Sequence, residues 1–156
     1  AAKDTMKHLH ACRTEQATAQ DYLHNIYGQP SLTCEYIFIF FSAVSGVTAA
    51  GRCTVSEIVN TPYLAEIFRL VIAESASIGR ALGIALDPEI EDKAWKMVLS
   101  LPPTMRASTA IDLENGRPLE IDWVSGAAAR LAKKVGIEAS INKTLYALLL
   151  PYKNGQ

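Results

Sequence analysis

From Tyr36 to Ala50 the chain reads YIFIFFSAVSGVTAA, apolar on every side. Its opening residues suit a buried strand, but Ala, Ser, Gly and Thr continue with no turn signal until Gly51. The block is therefore predicted to be a buried helix whose small residues let neighbours approach closely. Thr54-Val55-Ser56-Glu57 starts a short helical turn. Thr61-Pro62 offers a capping hydroxyl and then proline at the first helical position. Leu64, Ile67, Phe68, Val71, Ile78 and Leu82 follow at helical spacing, and Gly83 ends the run. Asp87-Pro88 repeats the start signal, for a helix to about Ser100 that Leu101-Pro102-Pro103 terminates.

The stretch Arg106 to Gly126, RASTAIDLENGRPLEIDWVSG, is predicted to be a polar loop feeding a helix. Asn115-Gly116 is a turn signal, since both residues tolerate positive φ. Pro118 suits a first turn, and the helix is expected to run from about Pro118 to Val135. Ile121, Val124, Ala128, Leu131 and Val135 form its stripe, with Lys133 and Lys134 in the last turn and Gly136 after it. A last helix, about Ile141 to Tyr152, carries Leu145, Leu148 and Leu149. No alternating run reads as a strand. The fold class is all-α, a helical domain over residues 36–156. Residues 1–35 read as a weakly patterned lead-in broken at Gly28-Gln29-Pro30.

Composition narrows the function. The chain has 156 residues, 49% hydrophobic and 20% charged, enough for one cored domain. With 15 basic and 16 acidic side chains and no cationic track, nucleic acid is not an expected partner. No apolar run is long enough to span a bilayer, and no signal peptide is read, so a cytoplasmic location is expected. Cys12, Cys34 and Cys53 read as free thiols of a reducing compartment. His8-x-His10-x-Cys12 reads as a surface leader in preference to a metal site, because that spacing does not converge on one helix face.

Taken residue by residue, the candidate chemistry is thin. Glu120 sits at the edge of its predicted stripe, where a helix N-terminal charge paired with Arg117 explains it locally. Asp122 is expected to point into solvent. Ser108 passes as a loop hydroxyl and Glu74 as a boundary residue paired to a basic neighbour. All three histidines lie in the lead-in, so no Ser/His/Asp arrangement forms. The nine glycines include no G-x-G, so the chain carries no dinucleotide fingerprint and no P-loop.

In combination these segments say more. S-T-A-I-D-L-E-N-G-R-P-L-E-I-D-W-V-S-G, then A-K-K-V-G-I and N-K-T-L-Y-A-L, resemble the C-terminal domain of ketopantoate reductases (2-dehydropantoate 2-reductases). Ser108, Asp112, Gly116-Arg117, Glu120-Ile121-Asp122 and Gly126 occupy the family's pattern. Upstream, Glu74 through Gly83-Ile84 and Ser45-Gly46-Val47-Thr48-Ala49 are similar to further family segments. The resemblance covers roughly residues 34–150. It implies a helical domain similar to that of 6-phosphogluconate dehydrogenase, preceded in the family by a Rossmann domain. It also implies NADPH-dependent reduction of ketopantoate to pantoate, in pantothenate biosynthesis, at a cleft between the two domains. Ser108 and Ser45 would bind substrate oxygens. Glu120 would act as a catalytic and cofactor-binding residue beside the ligand and the nicotinamide ribose. A homodimer formed through this domain is implied as well.

Two departures stand out. The Rossmann domain is absent from this sequence, so the chain alone is expected to be inactive and not to bind NADPH. The family's general-acid lysine falls on Ile37, or on Tyr36 with one inserted residue, and its asparagines fall on Phe41 and Ser45. Three readings follow: a reductase of another 2-oxo acid, a homologue with impaired catalysis serving as a helical interaction module, or an altered leading segment.

Overall fold

The computed structural model describes residues 32–155, and the lead-in residues His8, His10 and Cys12 lie outside it. The apolar block folds as helix α1, Leu32–Gly51, starting before the expected Tyr36. α1 is the central element and packs against α3 (Pro62–Ala81), α5 (Ser108–Glu114) and α7 (Ser140–Leu149). Its side chains are described from Phe38 on. Every residue from Ile39 to Ala49 is buried except Phe41, which is 50% exposed. Two buried hydroxyls are satisfied inside the helix: Ser42 donates to the Phe38 carbonyl at 2.9 Å and Thr48 to that of Val44 at 2.7 Å. Small residues are needed here for space. A Cβ on Gly46 would lie 2.9 Å from Leu145 Cδ1 and 3.2 Å from Ser125 Oγ.

Helix α2, Val55–Asn60, opens with a reciprocal cap in which the Glu57 N–H donates to Thr54 Oγ1 and the Thr54 N–H to the Glu57 carboxylate. Thr61 precedes α3 as expected, although its hydroxyl makes no capping bond. Helix α4, Ile90–Ser100, follows a turn closed by the Glu89 N–H donating to Asp87 Oδ1 at 2.8 Å. These elements bury Val44, Val47, Phe68, Val71, Ile72, Ile90, Ala94 and Val98 together. Phe68 packs edge-on against Trp95 at 6.0 Å, and the Arg69 guanidinium lies over that indole, 4.1 Å from the ring centroid.

The second half departs from expectation. Ser108–Glu114 is not loop but helix α5. Its Thr109, Ala110 and Leu113 are buried, and a two-bonded ion pair from Arg106 to Glu114 braces it lengthwise. No helix begins at Pro118. That residue forms an isolated antiparallel bridge with Asn154, and the Leu119 N–H donates to the Lys153 carbonyl at 2.9 Å. A 3₁₀ turn over Ile121–Trp123 follows, the chain bends at Val124, and helix α6 runs Ser125–Val135. The reason is tertiary. Leu119 is buried with Ala49, Ala110, Leu113, Ile121 and Leu149, and that contact outweighs the local start signal at Pro118. Gly136 ends α6 in the left-handed conformation at φ 71°, as expected. α7 ends at Leu149 and gives way to a 3₁₀ turn, Leu150–Tyr152, so the last helix is shorter than predicted. Among the described residues there is no strand, and no helix is long and apolar enough to cross a membrane.

Candidate functional site

Ser45, Ser108 and Glu120 are carried by elements built around the C-terminal half of α1. Ser45 sits on the helix itself, one turn after Phe41, and is 7% exposed. Thr48, three residues on, accepts the Ala107 N–H at 3.2 Å. That bond fixes the residue before Ser108, so Ser108 opens α5 with its side chain exposed. Ala49 packs with Leu119, which seats the connection that bears Glu120. Glu120 precedes the 3₁₀ turn, is exposed, and its carboxylate meets no partner among the described residues. It is not paired with Arg117, which lies 3.2 Å from Asp112 instead. An exposed hydroxyl and an exposed carboxylate on firmly seated backbone can accept and donate hydrogen bonds to a polar ligand. Tyr36 and Ile37 fall in the first turns of α1, where side chains lie outside the described residues.

Asp122 does not point into solvent. Its carboxylate accepts from the Tyr146 hydroxyl at 2.7 Å and pairs with the Lys153 ammonium at 2.5 Å. Its carbonyl accepts from Arg130 Nη2 at 2.8 Å. Burial pushes the Asp122 carboxyl up, but the bonds from Lys153 and Tyr146 and the positive charges nearby outweigh it, leaving the group below the ordinary aspartate range. The same bond, with burial, raises the Tyr146 phenol.

Among the described residues Glu74 has no basic partner either. It caps α7 from the side of α3: the Ile141 N–H donates to Oε1 at 2.9 Å, and the Asn142 N–H and Nδ2 donate to Oε2 at 2.9 and 2.8 Å. Asn142 is fully buried, and its Oδ1 has no partner in the structure. Sequence reading missed the roles of Tyr146, Lys153 and Asn142. Each acts across 24 residues or more of chain or through a backbone contact, and nothing local signals it. Cys53 is a buried free thiol, while Cys12 and the Cys34 side chain lie outside the described residues. No group of three metal-binding side chains occurs among the described residues.

The family described as "Ketopantoate reductase PanE/ApbA C terminal" matches residues 37–153. The 2-dehydropantoate 2-reductase of Archaeoglobus fulgidus is 28% identical over 114 residues, 73% of this chain and 38% of that protein. The chain thus spans about two-fifths of that relative's length. Among solved structures, a ketopantoate reductase from Ralstonia eutropha superposes with TM-score 0.71 at 24% identity, over 78% of this chain and 40% of its own. The dimeric ketopantoate reductase of Staphylococcus aureus gives TM-score 0.74 at 19% identity, over 88% of this chain and 52% of its own. These two likenesses show the helical fold.

Proposed function

Because the chain belongs to the ketopantoate reductase C-terminal family, we propose that it is the substrate-binding and dimerisation half of a cytoplasmic, NADPH-dependent 2-dehydropantoate 2-reductase, acting with a Rossmann domain outside this sequence. The observation that carries the reading is the family match over residues 37–153, with Ser108 and Glu120 both exposed on elements seated against α1. The nicotinamide cofactor supplies the hydride. This chain's residues fit one end of it, since an exposed carboxylate at Glu120 can accept from ribose hydroxyls; the phosphates need a glycine-rich loop that the chain lacks. Reduction of a ketone develops alkoxide charge, and Ser108 and Ser45 would hold the substrate oxygens while Glu120 orients the pair.

Phe41 favours a second form of the reading. It is half exposed one turn before Ser45, so it offers an apolar surface near that residue. That arrangement suits a 2-oxo acid with a larger apolar substituent than ketopantoate. If acid catalysis is lost with the lysine absent at Tyr36 and Ile37, the domain serves as a dimerisation module instead. The test is NADPH oxidation by the protein containing this chain and its dinucleotide-binding domain, with ketopantoate and phenylglyoxylate in parallel. Turnover of ketopantoate supports the first form, and preference for phenylglyoxylate supports the second. No oxidation with either acid overturns the reductase reading.

A further inference from the structure

The connection that carries Glu120 is held by the last residues of the chain. Lys153 touches it twice: its backbone carbonyl accepts the Leu119 N–H at 2.9 Å, and its ammonium meets Asp122 Oδ2 at 2.5 Å. The two contacts bracket Glu120, one on each side in sequence. Pro118 and Asn154 pair beside them, and Gly155 (φ 83°) approaches so closely that a Cβ there would lie 2.6 Å from the Gly116 carbonyl oxygen. Among the described residues nothing anchors the Glu120 side chain, so its direction depends on the backbone on either side of it. The connection makes few hydrogen bonds of its own, the Trp123 N–H to the Glu120 carbonyl at 3.1 Å among them, and needs outside donors and acceptors to hold one conformation. Here the C-terminal turn supplies them.

We propose that Lys153 is a positioning residue for Glu120: the turn after α7 is a clamp that sets the direction of the Glu120 carboxylate toward the ligand. The inference rests on the reductase reading for what Glu120 faces, and on the geometry alone for the clamp. Lys153 and Asp122 are both partly exposed, and an exposed pair contributes little to global stability. A Lys153→Met change is therefore expected to leave the melting temperature within about 3 °C, a shift of that size being under about 1 kcal/mol.

Two measurements test it. In the ¹⁵N-labelled 156-residue chain, Lys153→Met is expected to speed amide exchange at Leu119 and Trp123 about threefold, the change that a local loss under about 1 kcal/mol permits. Amides of α3 and α4 stay unchanged, and Lys153→Arg restores protection. In the longer protein with its cofactor domain, Lys153→Met is expected to lower kcat about tenfold or more with KM for the 2-oxo acid changed less than about threefold, and Lys153→Arg to recover most of the loss. Deletion of residues 153–156 gives the larger form of both effects. Unchanged exchange at Leu119 in Lys153→Met overturns the clamp whatever the activity. Faster exchange with unchanged kcat overturns the positioning role. Absence of 2-oxo acid turnover in the wild-type protein counts against the reductase reading, and the exchange result still decides the clamp.

Discussion

Replacing Glu74 removes a cap that holds two helices together. Its carboxylate takes three donors at the start of α7, at 2.9, 2.9 and 2.8 Å, while sitting on α3. In Glu74→Ala the Ile141 and Asn142 N–H groups lose their acceptor, which as a lost helix cap costs about 1 kcal/mol. The Asn142 amide is fully buried and would be left without its one bond, for a further 1–3 kcal/mol or so. The sum is about 3 kcal/mol, or roughly a 10 °C drop in Tm for a chain of this size. Glu74→Gln should cost about 1 kcal/mol. Its single oxygen keeps an N–H, and its Nε2 can donate to Asn142 Oδ1 once that amide turns over, an oxygen that now has no partner. Urea unfolding followed by circular dichroism measures both. In an Asn142→Ala background, Glu74→Ala should cost less than it does alone. A Glu74→Ala protein within about 0.5 kcal/mol of wild type would refute the cap.

Three other expectations follow from the same packing. Gly126→Ala should destabilise by about 1–3 kcal/mol, because a Cβ there would lie 2.8 Å from Tyr146 Cε2 and 3.1 Å from the Ile121 carbonyl oxygen; a neutral thermal melt would contradict this. Asp122 has a folded pKa below its unfolded value of about 3.9, so its contribution is full above that pH and is lost as the pH falls through the folded pKa. Asp122→Asn should therefore flatten the acid limb of stability below about pH 4, measured by urea unfolding between pH 5 and 2. Burial pushes the Cys53 thiol above its ordinary pKa, with the nearby Glu57 charge adding to it, so Cys53 should resist alkylation in the native chain at neutral pH and react in urea. Peptide mapping that finds it labelled rapidly in the folded state would count against that burial.

How much of this was legible in the sequence varies by element. α3 and the body of α6 were readable because their apolar periodicity agrees with how they pack, α1 because its run is apolar on every side, and Gly83 and Gly136 do adopt the positive φ that ends their helices. The region from Arg106 to Glu120 was misread in both directions. Ser108–Glu114 looked polar, yet three of its residues turn inward once Thr48 and Arg106 fix its ends. Pro118 looked like a helix start, yet the C-terminal segment takes its neighbour's N–H. Ser108 and Glu120 could be named from motif alone, but their exposure comes from these long-range contacts. Glu74 and Asp122 were seen as charges and missed as connectors, because their partners stand far along the chain.

The central claim is that the exposed Glu120 carboxylate faces the reacting ligand of a 2-oxo acid reductase. Its most direct test is kcat/KM for NADPH oxidation with the preferred 2-oxo acid, comparing wild type with Glu120→Ala in the proposed longer protein that pairs this chain with a dinucleotide-binding domain. A fall of about 100-fold or more with an unaltered melting temperature is the expected result. Equal kcat/KM in the two proteins would contradict it.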